Sequence, residues 1–467
     1  MPHLIYLATH GFAVRMIFQT GLLRRLTERG VRVSVIVPDA LDPNVADLCA
    51  RDGVRPLEYP APAQPVQRIL KSLRKYIVED IRNNPCLWDK HEELKRGGGL
   101  RKQLTSRFGL ALNGIVVFAP RLRRLFLRLE QRILLRREAI DFIRQLDPDL
   151  LVSTYPVAAP EPELMLAARH LKVRTVLHLL SWDNITAKGH FQALADDYLA
   201  WGPTMKEELQ EFYAVPEARI TECGVPHFDL YFQDDELPVN STLLDRLAEG
   251  GQPWLFFAMS AARYAPGETE ILRQLCAETG TGRRLEGVRI VARPHPSALS
   301  GVLEDTKTLS ALTALESEAG LLVSYPLMVA SSKMNWSVRD SDMYELIGLL
   351  RGAAVVINSG STVAVEALAL GRPMVITSYD GPETLPYDRS ARRLKDYPHL
   401  RKLFADGGGE VVLSHEELMA IISKFLETPD HHLERRQLAL RRQIGDQNGK
   451  ATQVVAEALL SFLTENK

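Results

Sequence analysis

Two successive series of alternating strands and helices constrain this chain more than any other feature. HLIYLA (3–8) reads as a buried strand, and Val14, Ile17, Phe18, Leu22 and Leu26 then recur at the spacing of one helix face. After Gly30 the run VRVSVIV (31–37) is a second strand. Strand, helix and strand in so short a span make a βαβ unit, and therefore a parallel sheet. The alternation resumes with strands at Leu150–Thr154, Val173–Leu179, Tyr198–Trp201 and Ile220–Cys223. A loosened stretch, PHFDLYFQDDELPVN, precedes a second series at Trp254–Ala258, Val288–Ala292, Leu321–Val323, Ala354–Ile357 and Met374–Thr377. A chain of 467 residues exceeds one ordinary core. The expectation is two doubly wound α/β domains facing a cleft, over 1–230 and 231–448, followed by an amphipathic helix over 449–467. Residues 60–148 interrupt the first domain as a basic, mostly helical insert, with a break at Gly97-Gly98-Gly99. Ligands of such sheets bind at the carboxyl ends of strands, so the loops after strands carry the candidates.

Charge narrows the partners. The chain is nearly neutral, with 57 Lys and Arg against 58 Asp and Glu, which argues against a protein that coats nucleic acid. The basic residues are unevenly spread, however: between Lys95 and Arg137 twelve Lys and Arg face one acid, Glu130. Such a block suits one anionic surface or ligand. In PRLRRLFLRLEQRILLRR (120–137), Leu122, Leu125, Phe126, Leu129 and Ile133 are expected on one broad helix face and Arg124, Arg128 and Arg132 on another. Region 95–137 could therefore rest on an anionic membrane, with Phe108–Ala119 dipping in beside it, or be a buried helix with a solvated side. The longest apolar run, Phe108–Pro120, is too short to span a bilayer, and the N-terminus has no basic n-region, so a cytoplasmic protein, peripheral at the inner membrane face, is expected. The four cysteines are scattered, without CxxC or His/Cys clusters, which fits a reducing compartment and offers no zinc site.

The motif with the clearest chemistry is NSGSTVAVEALALGRP (358–373). A strand ends in Asn358-Ser359-Gly360-Ser361, and a helix begins at Thr362. Helix starts present unpaired N–H groups and a partial positive charge, which a phosphate satisfies. Gly360 would let a ligand approach the backbone, Ser361 and Thr362 would add hydroxyl donors, and Glu366, one turn on, could accept from ribose hydroxyls. The alternative is that Ser361 merely caps a core helix. Arg293-Pro294-His295-Pro296 lies after another strand and suits a phosphate oxygen, or is a turn with an incidental histidine. Asp340-Ser341-Asp342 reads as helix-capping acids rather than a metal site. Walker A and GxGxxG motifs are missing from the sequence.

Together, the two α/β series, GSTVAVEALALGRP, RITECGVPHFDLY (219–231) and the closing helix resemble the GT-B glycosyltransferases, whose last helix crosses back. The RPHP and SGST pair is similar to the HP and S/T motifs of envelope-polysaccharide transferases, including bacterial sialyltransferases and CDP-glycerol glycerophosphotransferases. The nonhydrolysing UDP-GlcNAc 2-epimerases share the architecture. The resemblance implies that Ser359, Gly360, Ser361 and Thr362 hold donor phosphates, that Arg293 and His295 contact a phosphate oxygen, and that Glu366 binds ribose. It implies neither metal nor cofactor beyond the activated donor. The implied activity is transfer of a sugar from a nucleotide-activated donor to a glycan or lipid-linked acceptor. Glycerophosphate transfer, UDP-sugar 2-epimerisation and noncatalytic nucleotide-sugar binding remain alternatives.

On the acceptor side, His10 follows the first strand and suits a general base. Ser181-Trp182-Asp183-Asn184 and Lys188 form an aromatic and polar loop suited to sugar recognition, with Trp182, Asn184 and Lys188 on the acceptor. Asp183 rivals His10 as base, Glu161 and Glu163 follow, and the same loop also reads as a capped helix start with Trp182 as packing.

Overall fold

Seven parallel strands build the first sheet: β1 (His3–Leu7), β2 (Arg32–Ile36), β3 (Arg55–Leu57), β4 (Leu150–Ser153), β5 (Arg174–His178), β6 (Asp197–Ala200) and β7 (Ile220–Glu222). Their order is β3-β2-β1-β4-β5-β6-β7, so the direction in which strands are added reverses between β1 and β4. The computed structural model describes residues 1–62, 64–96, 99–116, 119–233, 238–299, 305–329, 337–446 and 449–465. Gly97 and Gly98 of the glycine break and residues 117 and 118 of the apolar run lie outside them. All five side chains of β1 are buried, as a parallel sheet covered on both faces requires. Leu4 sits opposite Val33 on one side and Leu150 on the other.

The second sheet comprises β8 (Trp254–Ala258), β9 (Arg289–Arg293), β10 (Leu322–Val323), β13 (Val355–Asn358), β14 (Met374–Thr377) and β15 (Glu410–Val412). β11 (Met328–Val329) and β12 (Ser337–Val338) form a separate antiparallel pair. The order β10-β9-β8-β13-β14-β15 reverses between β8 and β13. Leu255, Phe257, Ile290, Ile357 and Val375 form its core with Ile271, Leu275, Leu418, Ile422 and Phe425.

Contacts divide the chain into two units, Met1–His227 with Ile444–Lys467, and Phe228–Ala330 with Asn335–Gln443. The last helix, Ala451–Thr464, belongs to the first unit although it follows the second in sequence. It buries Val455, Leu459 and Leu463 and packs against the helix Leu22–Glu28. Arg174 of β5 donates to the Phe462 carbonyl at 3.3 Å and to Glu465 at 2.8 Å.

Three local expectations differ. The single helix expected over 14–29 is two, Gly11–Ile17 and Leu22–Glu28, because Gly21 adopts φ 70° and breaks the run. β3 and β15 escape a periodicity search because each has three residues; both are edge strands, where Pro56 loses no ladder bond. The expected apolar face of 122–133 is divided: Phe126 packs with Leu70 and Val78, whereas Leu122, Leu125 and Leu129 are exposed. The insert itself runs as helices Pro65–Ile77, Pro85–Arg96, Leu100–Val116, Pro120–Leu134 and Arg137–Leu146 between β3 and β4. Among the described residues no helix is long and apolar enough to cross a membrane.

Candidate functional site

In each sheet the strand order reverses once, and ligands of open α/β sheets bind at the strand ends there. In the second unit those ends belong to β8 and β13. β13 ends at Asn358, whose carboxamide shapes the turn that follows. Its Oδ1 accepts from the amides of Gly360 and Ser361, each at 2.6 Å, and its Nδ2 donates to the Ala258 carbonyl at 2.6 Å and to Ser361 Oγ at 3.0 Å. The Gly360 and Ser361 amides, expected to meet a phosphate, are thus already satisfied by a protein side chain. What the turn offers is the half-buried hydroxyls of Ser361 and Thr362 and the Thr362 amide, which has no partner among the described residues.

Two further expectations at this turn are corrected. Gly360 has φ 124°, and a Cβ there would meet Leu400 Cδ1 at 2.8 Å. The glycine is demanded by the fold itself, not by ligand approach. Ser359 is buried with its Oγ 2.7 Å from Thr377 Oγ1, so its hydroxyl faces β14.

Arg293 and His295 also separate. Arg293 is buried, donating to Asp342 at 2.7 Å and to Ser324 Oγ at 2.6 Å, so its guanidinium braces the interior instead of meeting a phosphate. Asp342 also accepts from the Leu327 amide at 2.7 Å, which makes this acid an ion-pair partner and not a cap. His295 Nδ1 accepts from the Ser297 amide at 3.1 Å and lies 2.6 Å from Ser297 Oγ. Burial, with Arg263 adding to it, pushes the imidazole down to about 4, so the ring is neutral at physiological pH. With Nδ1 accepting, the ring proton sits on Nε2, and His295 is a neutral donor.

Sequence reasoning missed three residues. Arg263, in the loop after β8, is exposed, near enough to His295 to depress it, and stacked over Tyr264 at 4.6 Å. Only its position after a strand could have marked it. Glu268 opens the helix Glu268–Ala277 and is buried; its Oε2 accepts from the Ser260 amide at 2.8 Å and its Oε1 has no partner among the described residues. Burial pushes its carboxyl up to about 8, against donors from Ser359 and Ser260, so it is largely uncharged at neutral pH. Tyr231 donates to Glu366, which is itself buried.

In the first unit the reversal lies between β1 and β4. Glu161 is fully buried there, accepting from Thr9 Oγ1 at 2.5 Å, Ser153 Oγ at 2.6 Å and the Thr154 and Tyr155 amides at 2.7 Å. Its carboxylate pins β4 to the loop after β1, with both oxygens engaged by these donors. Glu163 accepts from Tyr59 at 2.6 Å and Gln67 at 3.0 Å and pairs with Arg136 at 3.2 Å. Neither remains a candidate base. His10 packs edge-on against Tyr155, with its Nε2 buried and unpartnered among the described residues. Burial holds its pKa below the usual value, Lys188 adding to this and Glu161 opposing it.

The loop after β5 differs from its expectation. Trp182 is 5% exposed and Asn184 3%, so they pack within the unit and present no sugar-stacking face. Asp183 pairs with Lys188 at 2.8 Å and accepts from Ser181 Oγ at 2.6 Å. Asp183 and Lys188 thus neutralise one another. Among the described residues there is no cluster of three or more His, Cys, Asp or Glu able to hold a metal.

No protein-family model and no curated protein matches the chain. Solved structures do. The UDP-GlcNAc 2-epimerase from Neisseria meningitidis, bound to UDP-GlcNAc, is similar with TM-score 0.55 at 11% identity, over 99% of this chain and 100% of that one. S. aureus MnaA, in a co-structure with UDP, gives TM-score 0.55 at 12% identity over 99% and 97%. A glycosyltransferase from Rickettsia africae gives 0.51 at 9% over 100% and 98%. Identities at this level speak for the fold. The two reversed parallel sheets and the likeness over the whole length establish that this chain has the GT-B fold, in which both glycosyltransferases and UDP-sugar 2-epimerases are built.

Proposed function

We propose that this protein is a nucleotide-sugar enzyme whose second unit binds the donor and whose first unit handles the acceptor. One observation carries the reading. The loops after β8, β9 and β13, three neighbouring strands, offer the Arg263 guanidinium, the His295 Nε2–H and the hydroxyls of Ser361 and Thr362, while Asp305, at the far end of the loop after β9, caps the next helix by accepting from the Thr308 amide at 3.1 Å. Glu268, buried beside them, is largely neutral. Donors gathered beside a largely uncharged carboxyl suit a diphosphate.

The leading activity is sugar transfer to an envelope glycan or lipid-linked acceptor. His10, neutral and with its Nε2 unpartnered among the described residues, takes the proton from the acceptor hydroxyl, whose oxygen bonds to the anomeric carbon. The carbon–oxygen bond to the diphosphate breaks, its electron pair going to the departing nucleotide. Arg263, His295, Ser361 and Thr362 meet that charge; one such donor contributes roughly 2.7–4 kcal/mol in a measured case. Asp183, held by Lys188, is the weaker base. A second reading, 2-epimerisation of a UDP-sugar, is favoured by the likeness to the UDP-GlcNAc 2-epimerase solved with UDP-GlcNAc.

Calorimetric titration with UDP, GDP, CMP and CDP tests the donor site. We expect one of them to bind, with Arg263→Ala, His295→Ala and Thr362→Ala each weakening affinity about tenfold, as loss of a charged hydrogen bond would. Wild-type protein that binds none of the four overturns the reading. Incubation with the matching nucleotide sugar and no acceptor then separates the activities, since an altered UDP-sugar marks an epimerase. His10→Gln should lower turnover by about 10²–10⁴ while leaving donor affinity intact.

A further inference from the structure

The helix Pro120–Leu134 has two unlike sides. Its buried residues, Phe126, Glu130 and Leu134, are spaced by four and form one stripe. Glu130, the helix's only acid, is fully buried, where Arg74 donates to it and Gln192 Nε2 joins at 3.0 Å. The outer side therefore carries no negative charge. It exposes Leu122 at 48%, Leu125 at 62% and Leu129 at 51%, spaced three and four apart. Arg121, Arg124, Arg128 and Arg132 are exposed among these leucines.

The preceding helix, Leu100–Val116, repeats the arrangement. It contains no acid and exposes Leu104 at 57%, Phe108 at 74% and Ile115 at 70%, with spacings of four and seven that keep them on one stripe. Arg107 is exposed beside them. The two helices pack against each other and against the helix Pro65–Ile77 in the same unit. Six large apolar side chains facing water on two neighbouring helices exceed the scattered exposure of an ordinary surface.

We propose that these two helices dock the protein on an anionic lipid bilayer, with Leu104, Phe108, Ile115, Leu122, Leu125 and Leu129 entering the acyl boundary and the arginines meeting headgroup phosphates. Charge selects this occupant. A second copy of the same face would set arginine against arginine. A nucleic acid would engage the arginines but leave leucines and a phenylalanine against a phosphate backbone. An anionic bilayer satisfies both sets, because its charge lies just above an apolar phase.

The test uses the full-length protein and vesicles of phosphatidylcholine, with and without phosphatidylglycerol. The wild type should sediment with the phosphatidylglycerol vesicles and stay in solution with the neutral ones. Arg124→Glu/Arg128→Glu should weaken binding by more than about tenfold. Leu125→Asn/Leu129→Asn, which keeps the charge, should weaken it by about tenfold or more. These positions are exposed, so circular dichroism should be unchanged in both variants. Wild-type protein that ignores anionic vesicles overturns the proposal whatever the variants do. So does a leucine variant that binds like wild type, which would mark a purely electrostatic surface, or equal binding to neutral vesicles.

Discussion

The phenol of Tyr231 donates to the carboxylate of Glu366, 135 residues further along the chain. Both are almost fully buried, at 3% and 2% exposure. Tyr231 comes from the segment PHFDLYF that leads into the second unit, and Glu366 from the first turn after Ser361-Thr362. The pair thus ties the entry of this unit to the helix behind its candidate phosphate site.

Tyr231→Phe should therefore cost about 1–3 kcal/mol of stability, because it leaves a buried carboxylate short of a donor. Tyr231→Phe/Glu366→Gln should lose less than the sum of the single changes, since an amide tolerates the loss better than a charge. Urea unfolding of the three variants measures both effects.

Two arginines thirty positions apart should behave oppositely. Arg293→Met strands Asp342 in the interior and should destabilise by about 3–5 kcal/mol. Arg263→Ala touches an exposed side chain and should leave the melting temperature nearly unchanged while weakening nucleotide affinity. Thermal melts with and without nucleotide distinguish them.

Gly360→Ala should destabilise by about 1–3 kcal/mol through its backbone conformation alone, before any ligand is present. Leu400→Ala would relieve the contact at 2.8 Å but not the φ of 124°, so the double variant should recover only part of the loss. Full recovery in chemical denaturation would assign the whole cost to the contact.

Stability should peak near pH 6.5. His178 is pushed down to about 3 and His190 and His295 to about 4, chiefly by burial, from an ordinary 6.5. Below pH 6.5 the unfolded chain takes up protons that these folded imidazoles refuse, so stability falls as acid is added. Glu268 acts in the other direction. Its carboxyl is raised from 4.5 to about 8, so the folded protein holds a proton the unfolded chain has released. Its contribution falls as pH rises through that window and is lost above about 8, with a slope of at most about 1.4 kcal/mol per pH unit. Below pH 6.5 the three histidines outweigh the glutamate; between pH 6.5 and 8 Glu268, joined by Glu79, whose carboxyl is also raised by burial, sets the slope. Glu268→Gln should flatten the alkaline limb between pH 6.5 and 8 in denaturation profiles.

Where chemistry depended on a residue's place after a strand, the sequence located it. The turn 358–362 and His295 are read correctly as lying beyond β13 and β9, because strand length and apolar content are local properties. Direction was not legible. Arg293 and His295 are two positions apart, yet one side chain points into the interior and the other to the strand ends. Residues two apart on an extended strand share a face, but Pro294 and the end of β9 break that rule, and sequence does not say by how much. Trp182 likewise looked like a stacking platform and is packing.

The amino-acid order alone determined that this chain builds two parallel sheets, where all but their short edge strands β3 and β15 lie, and which loops end up at their carboxyl edges, because apolar periodicity and glycine punctuation act over a few residues. Tertiary structure alone decided which donors stay available. Asn358 takes the amides of its own turn, Asp342 takes Arg293, Glu161 absorbs five donors and Lys188 takes Asp183. Buried polar groups must find partners wherever the fold brings them, and those partners lie up to 152 residues away, beyond the reach of any local pattern.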